Sequence, residues 1–582
     1  MKLIIRLAAS SALVLLTLTA AACNDALQVE NLSNPDVDRV FALPATIEQT
    51  LGTGYQSCRN ALQTSDRMQQ LETMSLESYS SLNNFFMGPR GGMPRGPILN
   101  DRTASSNFTP FSALSRQART AVNALAALDK LLKSNGTLGT AARDARAKSW
   151  GFFVAACNLG YLALTYDSSA VVSVGMPSDS TPPLAGSKEV MAAAIAFLDS
   201  AEIIASSSAA GGSGGFPTTA SWLSGATLTR DQFLRWVRSW RARFRAGNAR
   251  TPEERAALDW NKIVADATSG LTSDVVVSVG GSTGWNLNWI GNQMHVDAAW
   301  HQITPMIFGM ADTSGGYDRF LSKPLAERDG YFLILTPDQR FPWGSTRAQQ
   351  QDHSPNRADY QQLPYVENRK ITDTPGDAWG SSFYNYYKYK YYQRQSNTGQ
   401  FPEFRSAEVD LLAAEGYIRL GNYAAAAALI DKTRIPALLP SVAGVTGPND
   451  PVPGADYDST FRIDTTFKSG NIDKIDTVHT GYELRTVAPG KANCVPRVPV
   501  GPNFTTTACG NLFEAMKWEK RMELAYEQFG AWFWDARGWG DLPTDTALEY
   551  PTPYEELDAR LHPFWNLGGG GPSSAKKGTY GF

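Results

Sequence analysis

The chain has 582 residues, 43% of them hydrophobic, enough for one large domain or several. Its formal charge is −3, which argues against nucleic acid as a partner, because phosphate binding needs a basic surface. With 15 Trp, 22 Tyr, 50 Gly and 33 Pro, it promises long irregular loops and many ring-bearing contact surfaces beside any regular scaffold.

Residues 1–22 have the build of an export signal. Lys2 and Arg6 give a positive start, Leu7–Thr19 an uncharged apolar stretch, and Ala20–Ala22 the small residues a signal peptidase reads. Cys23 follows directly. The junction resembles a bacterial lipobox, with Ala20 where such boxes carry Leu, and the resemblance implies cleavage before Cys23 and its acylation. The apolar run is shorter than the ~20 residues of a membrane span, and no later segment is long enough. Two or three acyl chains at Cys23 would therefore be the only membrane link. Residues 23–40 read as a tether, and 41–582 as a single domain.

Within that domain the apolar spacing predicts helices over Leu43–Leu62 and Met68–Leu82. A loop over 79–107 with GPRGGMPRGP at its heart follows. Further helices are expected at Ala118–Leu132, Ala141–Thr165 and Lys188–Ala205, and after a Gly/Ser linker at Arg230–Arg245 and Pro252–Thr268. Thr251, with Glu253 and Glu254 in the next turn, is a favourable start for the last of these. Residues 41–271 form the N-terminal helical part. The region 272–400 opens on a strand-like DVVVSV run and continues as aromatic, irregular chain; FYNYYKYKYY within it reads as a scaffold strand. Helices return at Glu403–Leu420 and Tyr423–Arg434. An irregular stretch over 436–510 precedes a last helix, Leu512–Gln528. The closing GGGGPSSAKKG reads as a flexible segment. It lacks the spacing of a phosphate loop and leads into no helix.

Cys494 and Cys509 bracket a Pro/Gly-rich loop that a disulfide would staple, whereas Cys58 and Cys157 sit in helical patterns and read as buried thiols. The histidines, at 295, 301, 353, 479 and 562, show no metal-ligand spacing, and DTSGGYD at 312–318 falls short of the calcium-loop pattern. No metal or other cofactor is expected.

The segment 401–435 places Ala414 and Tyr417 before a Gly421-Asn422 turn, and Tyr423, Ala426 and Ile430 after it. Small residues let two helices approach while larger ones fill the gap, which is the logic of a tetratricopeptide unit. With its setting, this segment resembles the SusD/RagB family of outer-membrane nutrient-binding lipoproteins. VENLSNPD after Cys23 and RTAVNAL at 119–125 agree. So do Arg405, Glu408 and Glu415 in RSAEVDLLAAEGYIRLG, and Glu519, Arg521, Glu523, Leu524, Glu527, Asp535 and Arg537 in WEKRMELAYEQFGAWFWDARGWG. The sequence departs from the pattern at Lys520 and at Gln528-Phe529-Gly530.

The resemblance implies a mainly α fold, a tetratricopeptide-like helical-repeat scaffold with long irregular insertions and few short strands. It implies a partner, a SusC-like TonB-dependent β-barrel of about 22 strands, on which the lipoprotein acts as a lid. It also implies outer-membrane localisation, facing outward. The ligand would be an oligosaccharide, with a peptide as the other option, and no catalysis would occur. Two competing classes remain: a secreted hydrolase, which needs two carboxylates across a cleft, and a helical-repeat scaffold lipoprotein, which needs adjacent repeats.

Candidate ligand groups are rings with neighbouring amides or guanidinium groups. A ring covers the apolar face of a sugar while the polar groups take its hydroxyls. The 79–107 loop offers Tyr79, Asn83, Asn84, Phe85, Phe86 and Arg90; a second cluster offers Trp285, Asn288, Trp289 and Trp300; a third ends at Trp343. Glu519, Glu523 and Glu527 share one helix face, poorly placed to flank a glycosidic bond. They are expected to lock the last helix through Arg521, Arg537 or Arg560.

Overall fold

The computed structural model describes residues 37–63, 67–80, 86–103, 108–285, 302–342, 346–351, 365–368, 379–386, 388, 398–456, 461–464, 482–485, 488–489, 493–526 and 529–582. The fold is mainly α, with two-stranded antiparallel sheets between the helices. No described helix is long and apolar enough to cross a membrane.

The N-terminal half is built around a central helix. Helices α1 (Pro44–Gln63), α2 (Arg67–Met74), α3 (Phe108–Lys133), α4 (Ala141–Thr165), α5 (Ser187–Ser206) and α6 (Arg230–Gly247) follow in order. α4 packs on α1, α3 and α5, and nearly every one of its side chains is buried, as an all-round apolar helix requires. Thr140 opens it by accepting from the Arg143 N–H. α6 starts on a reciprocal capping box between Thr229 and Gln232. α3 begins ten residues earlier than its apolar spacing suggests. Pro110 sits in the first turn, where a missing N–H costs nothing.

The expected helix over Pro252–Thr268 is two helices, α7 (Pro252–Ala256) and α8 (Trp260–Thr268). The break has two causes. Asp259 turns its carboxylate onto the Lys262 N–H and so caps α8, and the Trp260 indole donates to the Arg255 carbonyl at 2.9 Å, closing the end of α7. α2 likewise ends at Met74, well before Leu82, and Leu76 takes a left-handed backbone just beyond it.

The helix expected from Glu403 starts at Ser406. The residues before it form β3 (Gly399–Phe404), which pairs with β2 (Val275–Val279), with a bulge at Val275/Val276. Strand geometry points Glu403 inward, where it accepts from Tyr55 Oη and Arg59 Nε, both at 2.7 Å. α9 (Ser406–Arg419) and α10 (Tyr423–Arg434) are the tetratricopeptide-like pair. Gly421 at φ 78° makes the turn, Asn422 caps α10, and the buried Ala414 and Ala426 allow the close approach.

The last expected helix also ends early. α11 (Leu512–Leu524) is followed by a separate α12 (Ala531–Trp539), bounded by left-handed Gly530 and Gly540. The Cys494–Cys509 disulfide clasps the base of a hairpin formed by β4 (Arg497–Val500) and β5 (Thr506–Cys509). Cys58 and Cys157 are free and buried.

The Gly-rich end is ordered packing, contrary to the flexible segment expected of it. Leu567–Gly568 (β6) pairs with Pro97–Ile98 (β1), and Leu548 and Ala575 donate to Ser573 and Thr546 carbonyls. A Cβ on Gly568 would lie 2.7 Å from that of Ala547, at a backbone already left-handed. The glycines therefore serve close packing and not mobility.

The main core is unusually aromatic. Tyr55 meets Trp150, Trp236 and Trp240 edge-on at 5.9–6.3 Å, and Phe404 meets Trp236 and Trp240 at 5.6–5.7 Å. Trp150, Trp236 and Trp240 are thus spent on packing between α1, α4 and α6.

One buried group sits at odds with its surroundings. Glu72 in α2 is sealed in, with one carboxylate oxygen lacking a partner. Burial, and then Glu77 beside it, pushes its pKa well above the usual carboxylate range. A raised folded value means stability that is full below the unfolded pKa and falls as pH rises toward the folded one. Glu72→Gln is therefore expected to raise the denaturation midpoint at pH 7.5 and to leave it unchanged at pH 4. Equal midpoints at pH 7.5 would refute the assignment.

Candidate functional site

The family-like charged residues form several buried ion-pair clusters. From α11, Glu519 accepts from Arg340 at 2.7 Å and lies 3.7 Å from Arg434. Glu523 pairs with Arg405 at 2.8 Å and receives Tyr365 Oη at 3.2 Å. Arg340 also holds Asp338 at 2.8 Å. Glu408 pairs with Arg243 at 2.6 Å, and Arg255 joins Glu415 at 2.6 Å to Asp535 at 2.9 Å. Asp541 takes both Lys517 and Arg521.

The expected pairings are corrected in detail. Arg521 serves Asp541, Arg560 serves Glu556 on its own helix, and Arg537 donates to three backbone carbonyls. The partners of Glu519 and Glu523 come from segments far off in sequence, which helical spacing cannot disclose. Glu527 lies outside the described residues.

Two fully buried glutamates behave oppositely. Burial works to raise Glu415, but Arg255, with Arg419 and Lys520, draws it down to about 2. Burial raises Glu519 too, and there, with the Asp338 charge adding to it, it prevails over Arg340 and Arg434. Both carboxylates are committed to guanidinium groups inside the fold, and this is the geometry of a scaffold lock. The 312–318 stretch is likewise structural. Asp312 accepts from the N–H groups of Ser314, Tyr317 and Leu335, and Asp318 from that of Thr507. No metal-ligating cluster occurs among the described residues.

Of the expected ligand groups, Asn83, Asn84, Phe85, Asn288, Trp289, Trp300 and Trp343 lie outside the described residues, as does Cys23. Tyr79 is 2% exposed and packs edge-on against Trp379 at 5.1 Å. Trp285 is 1% exposed, with the Arg59 guanidinium 5.1 Å from its ring centre. Neither offers a ring face to solvent, because both are buried among other side chains. Arg90 donates to the Pro97 carbonyl at 3.0 Å. Phe86 is different: it is 40% exposed and held at φ 58°, a costly backbone for a bulky side chain.

An exposed aromatic surface stands on residues 554–566, a segment that sequence reasoning passed over, beside the end of the 79–107 loop. Pairing of β1 with β6 brings Leu99–Arg102 against Tyr554–Asn566. Leu99, Leu561, Phe564 (54%) and Trp565 (36%) stand exposed there. The rings are fixed from behind. Trp565 Nε1 donates to Asp167 at 2.6 Å, and Phe564 meets Tyr554 edge-on at 5.2 Å. Tyr554 Oη in turn receives Arg102 Nε at 2.6 Å. Asn566 accepts from the Asn100 N–H at 2.9 Å. Burial raises the Asp167 pKa despite hydrogen bonds from Trp565 and Thr552. Pinned rings with carboxylate, guanidinium and amide groups alongside can receive a ligand with one apolar and one hydroxylated side, at little cost in side-chain order. HPFWN at 562–566, an aromatic pair between Pro and Asn, was the signal available in the sequence.

No family model matches the chain, and no curated protein matches it either. Solved structures do. A SusD superfamily protein from Bacteroides vulgatus is 12% identical, with 86% of this chain and 89% of that one covered and a TM-score of 0.49. A SusD/RagB family protein from Bacteroides thetaiotaomicron is 14% identical, with 67% and 71% covered and a TM-score of 0.41. A surface glycan-binding protein A from Bacteroides uniformis is 13% identical, with 69% and 83% covered and a TM-score of 0.39. The chain is thus similar in structure, over two thirds or more of its length, to solved proteins described as SusD/RagB-type or glycan-binding.

Proposed function

We propose that this protein is a lipid-anchored, outward-facing outer-membrane protein that binds an oligosaccharide and delivers it to a SusC-like TonB-dependent barrel, serving as its lid. The carrying observation is the pinned, exposed Phe564–Trp565 surface beside the 79–107 loop. The family-like motifs support the reading in order along the chain, as does the commitment of Glu519 and Glu523 to structural ion pairs. Cys23 is the proposed anchor and binding, not bond cleavage, the proposed activity.

The test is affinity electrophoresis of the soluble Cys23→Ala form through gels containing a panel of neutral polysaccharides, with product analysis alongside. At least one polysaccharide is expected to retard the protein without being degraded. Trp565→Ala is expected to weaken that retention at least tenfold, about 1.4 kcal/mol, within the range of truncated aromatic anchors. Retention unchanged in Trp565→Ala, or release of shorter sugars, would overturn the reading. Mild-detergent purification of the full chain from its native membrane should bring a large β-barrel with it.

A further inference from the structure

Asp167 follows the C-terminal cap of α4, where the chain turns into the short strand Ser168–Ala170 that pairs with Leu184–Gly186. Its backbone is held on both sides. The N–H donates to the Tyr550 carbonyl at 2.9 Å, and the carbonyl accepts from the Ser187 N–H at 3.0 Å. The side chain thus has a fixed origin, and it reaches the aromatic surface. Oδ2 receives the Trp565 indole N–H at 2.6 Å, while Oδ1 receives the Thr552 N–H at 2.9 Å and the Ser168 hydroxyl at 3.2 Å. Both oxygens face donors. A carboxylate satisfies that pattern with both of them accepting, whereas an amide must turn a donor toward one side.

Trp565 belongs to a loop, residues 561–566, that is exposed throughout. An indole there loses rotamer freedom when a ligand settles on it, at a cost in affinity, unless the ring is held beforehand. Asp167 holds it through a hydrogen bond to an ionised acceptor, roughly twice as strong as a neutral one. Protonation removes that charge and loosens the ring. Burial, with the Glu549 charge adding to it, raises the Asp167 pKa against the hydrogen bonds from Trp565 and Thr552, so the change comes at milder acidity than for an exposed aspartate. The other charged groups around it are committed. Glu549 is paired with Arg250, whose Nη2 donates to the Tyr166 carbonyl at 3.1 Å. Arg560 holds Glu556 and the Pro182 carbonyl, both at 2.7 Å, and Lys188, beside Ser187, pairs with Glu254 at 2.7 Å. His562 is the one ionisable side chain of the exposed loop itself.

We propose that Asp167 is a positioning residue and acid-sensitive latch for the ligand surface: ionised, it sets the Trp565 ring for the oligosaccharide, and protonated, it releases ring and ligand together. The inference rests on the glycan reading of that surface and adds its regulation by pH. By reciprocity, a bound ligand in turn favours the ionised carboxylate.

Affinity electrophoresis of the soluble Cys23→Ala form at pH 7.5 and pH 4, with the polysaccharide that retains it, tests the binding arm. Retention is expected to weaken about threefold at the lower pH, the cost of ordering one released side chain. Asp167→Asn should show a similar loss already at pH 7.5 and little more at pH 4. Trp565→Phe keeps a ring but has no N–H to be held, so its retention should not respond to pH, and adding Asp167→Asn to it should change nothing further. His562→Gln should keep the pH response. A second arm needs no ligand. In protein carrying ¹⁵N-labelled tryptophan, the Trp565 indole N–H resonance, identified by its absence from Trp565→Phe, should move with acid in the parent and stay still in Asp167→Asn. Equal retention of the parent at both pH values, an equal pH response in Trp565→Phe, or a Trp565 resonance that ignores acid would each overturn the proposal. Failure of every polysaccharide to retain the protein would overturn the glycan reading instead, with the indole titration still deciding whether Asp167 holds the ring.

Discussion

Arg340→Ala is expected to lower the unfolding free energy by about 3–5 kcal/mol, the cost of leaving buried charge without its partner. Arg340 holds Asp338, Glu519 and the edge of Glu523, at 2.8, 2.7 and 3.7 Å, and all four side chains are almost wholly buried. After truncation, Glu519 keeps Arg434, at 3.7 Å, as its charged partner among the described residues. Asp338 keeps the Trp518 indole N–H at 3.0 Å and the backbone N–H of residue 340. Neither replaces a bidentate guanidinium. Chemical denaturation followed by tryptophan fluorescence reads the effect. Glu519→Gln in the Arg340→Ala background should recover part of the loss, because the orphaned charge goes with it. A single-variant loss under 1 kcal/mol would mean that this cluster does not hold α11 to the body.

The helical scaffold was legible because its signals are local. α4 and α10 begin and end where apolar period, cap and turn residues place them. What the sequence concealed depends on contacts across the chain. Glu403 reads as the start of a helix until Tyr55 and Arg59 claim it for a strand. Gly568 and Gly569 read as slack until Ala547 and the start of β1 crowd against them. The same limit governed the site. Tyr79 and Trp285 have the composition of ligand rings, but burial decides availability, and burial is a tertiary property. Phe564 and Trp565 are not among the ring clusters the sequence singles out, and only their pinning by Tyr554 and Asp167 makes them a surface. The charged residues of the motif follow the same rule: Arg405, Glu408, Glu415, Glu519 and Asp535 are each buried in an ion pair, in separate clusters whose members come from distant parts of the chain.

The cluster around Glu415 fixes how the protein should respond to acid. Glu415 has an ordinary value of 4.5 and a folded value of about 2, set by Arg255 against the opposing effect of burial. A depressed folded value means that its contribution is complete above pH ~4.5 and is lost as pH falls through about 2. The gap corresponds to roughly 3 kcal/mol. Glu415→Gln keeps the side-chain shape but removes the charge, leaving Arg255 with Asp535 alone at 2.9 Å. The variant is expected to be about 3 kcal/mol less stable than the parent at pH 7 and nearly equal to it at pH 2. Removing Glu415 also frees Arg419, which pairs with it at 2.9 Å from a partly exposed position, so water can satisfy that group at small cost. Arg255 has no such recourse, being fully buried, and this is why the loss is assigned to the Arg255 pair. Urea midpoints from pH 7 to pH 2 measure the convergence. A stability difference that persists undiminished at pH 2 would show that Glu415 acts through shape and packing instead of charge.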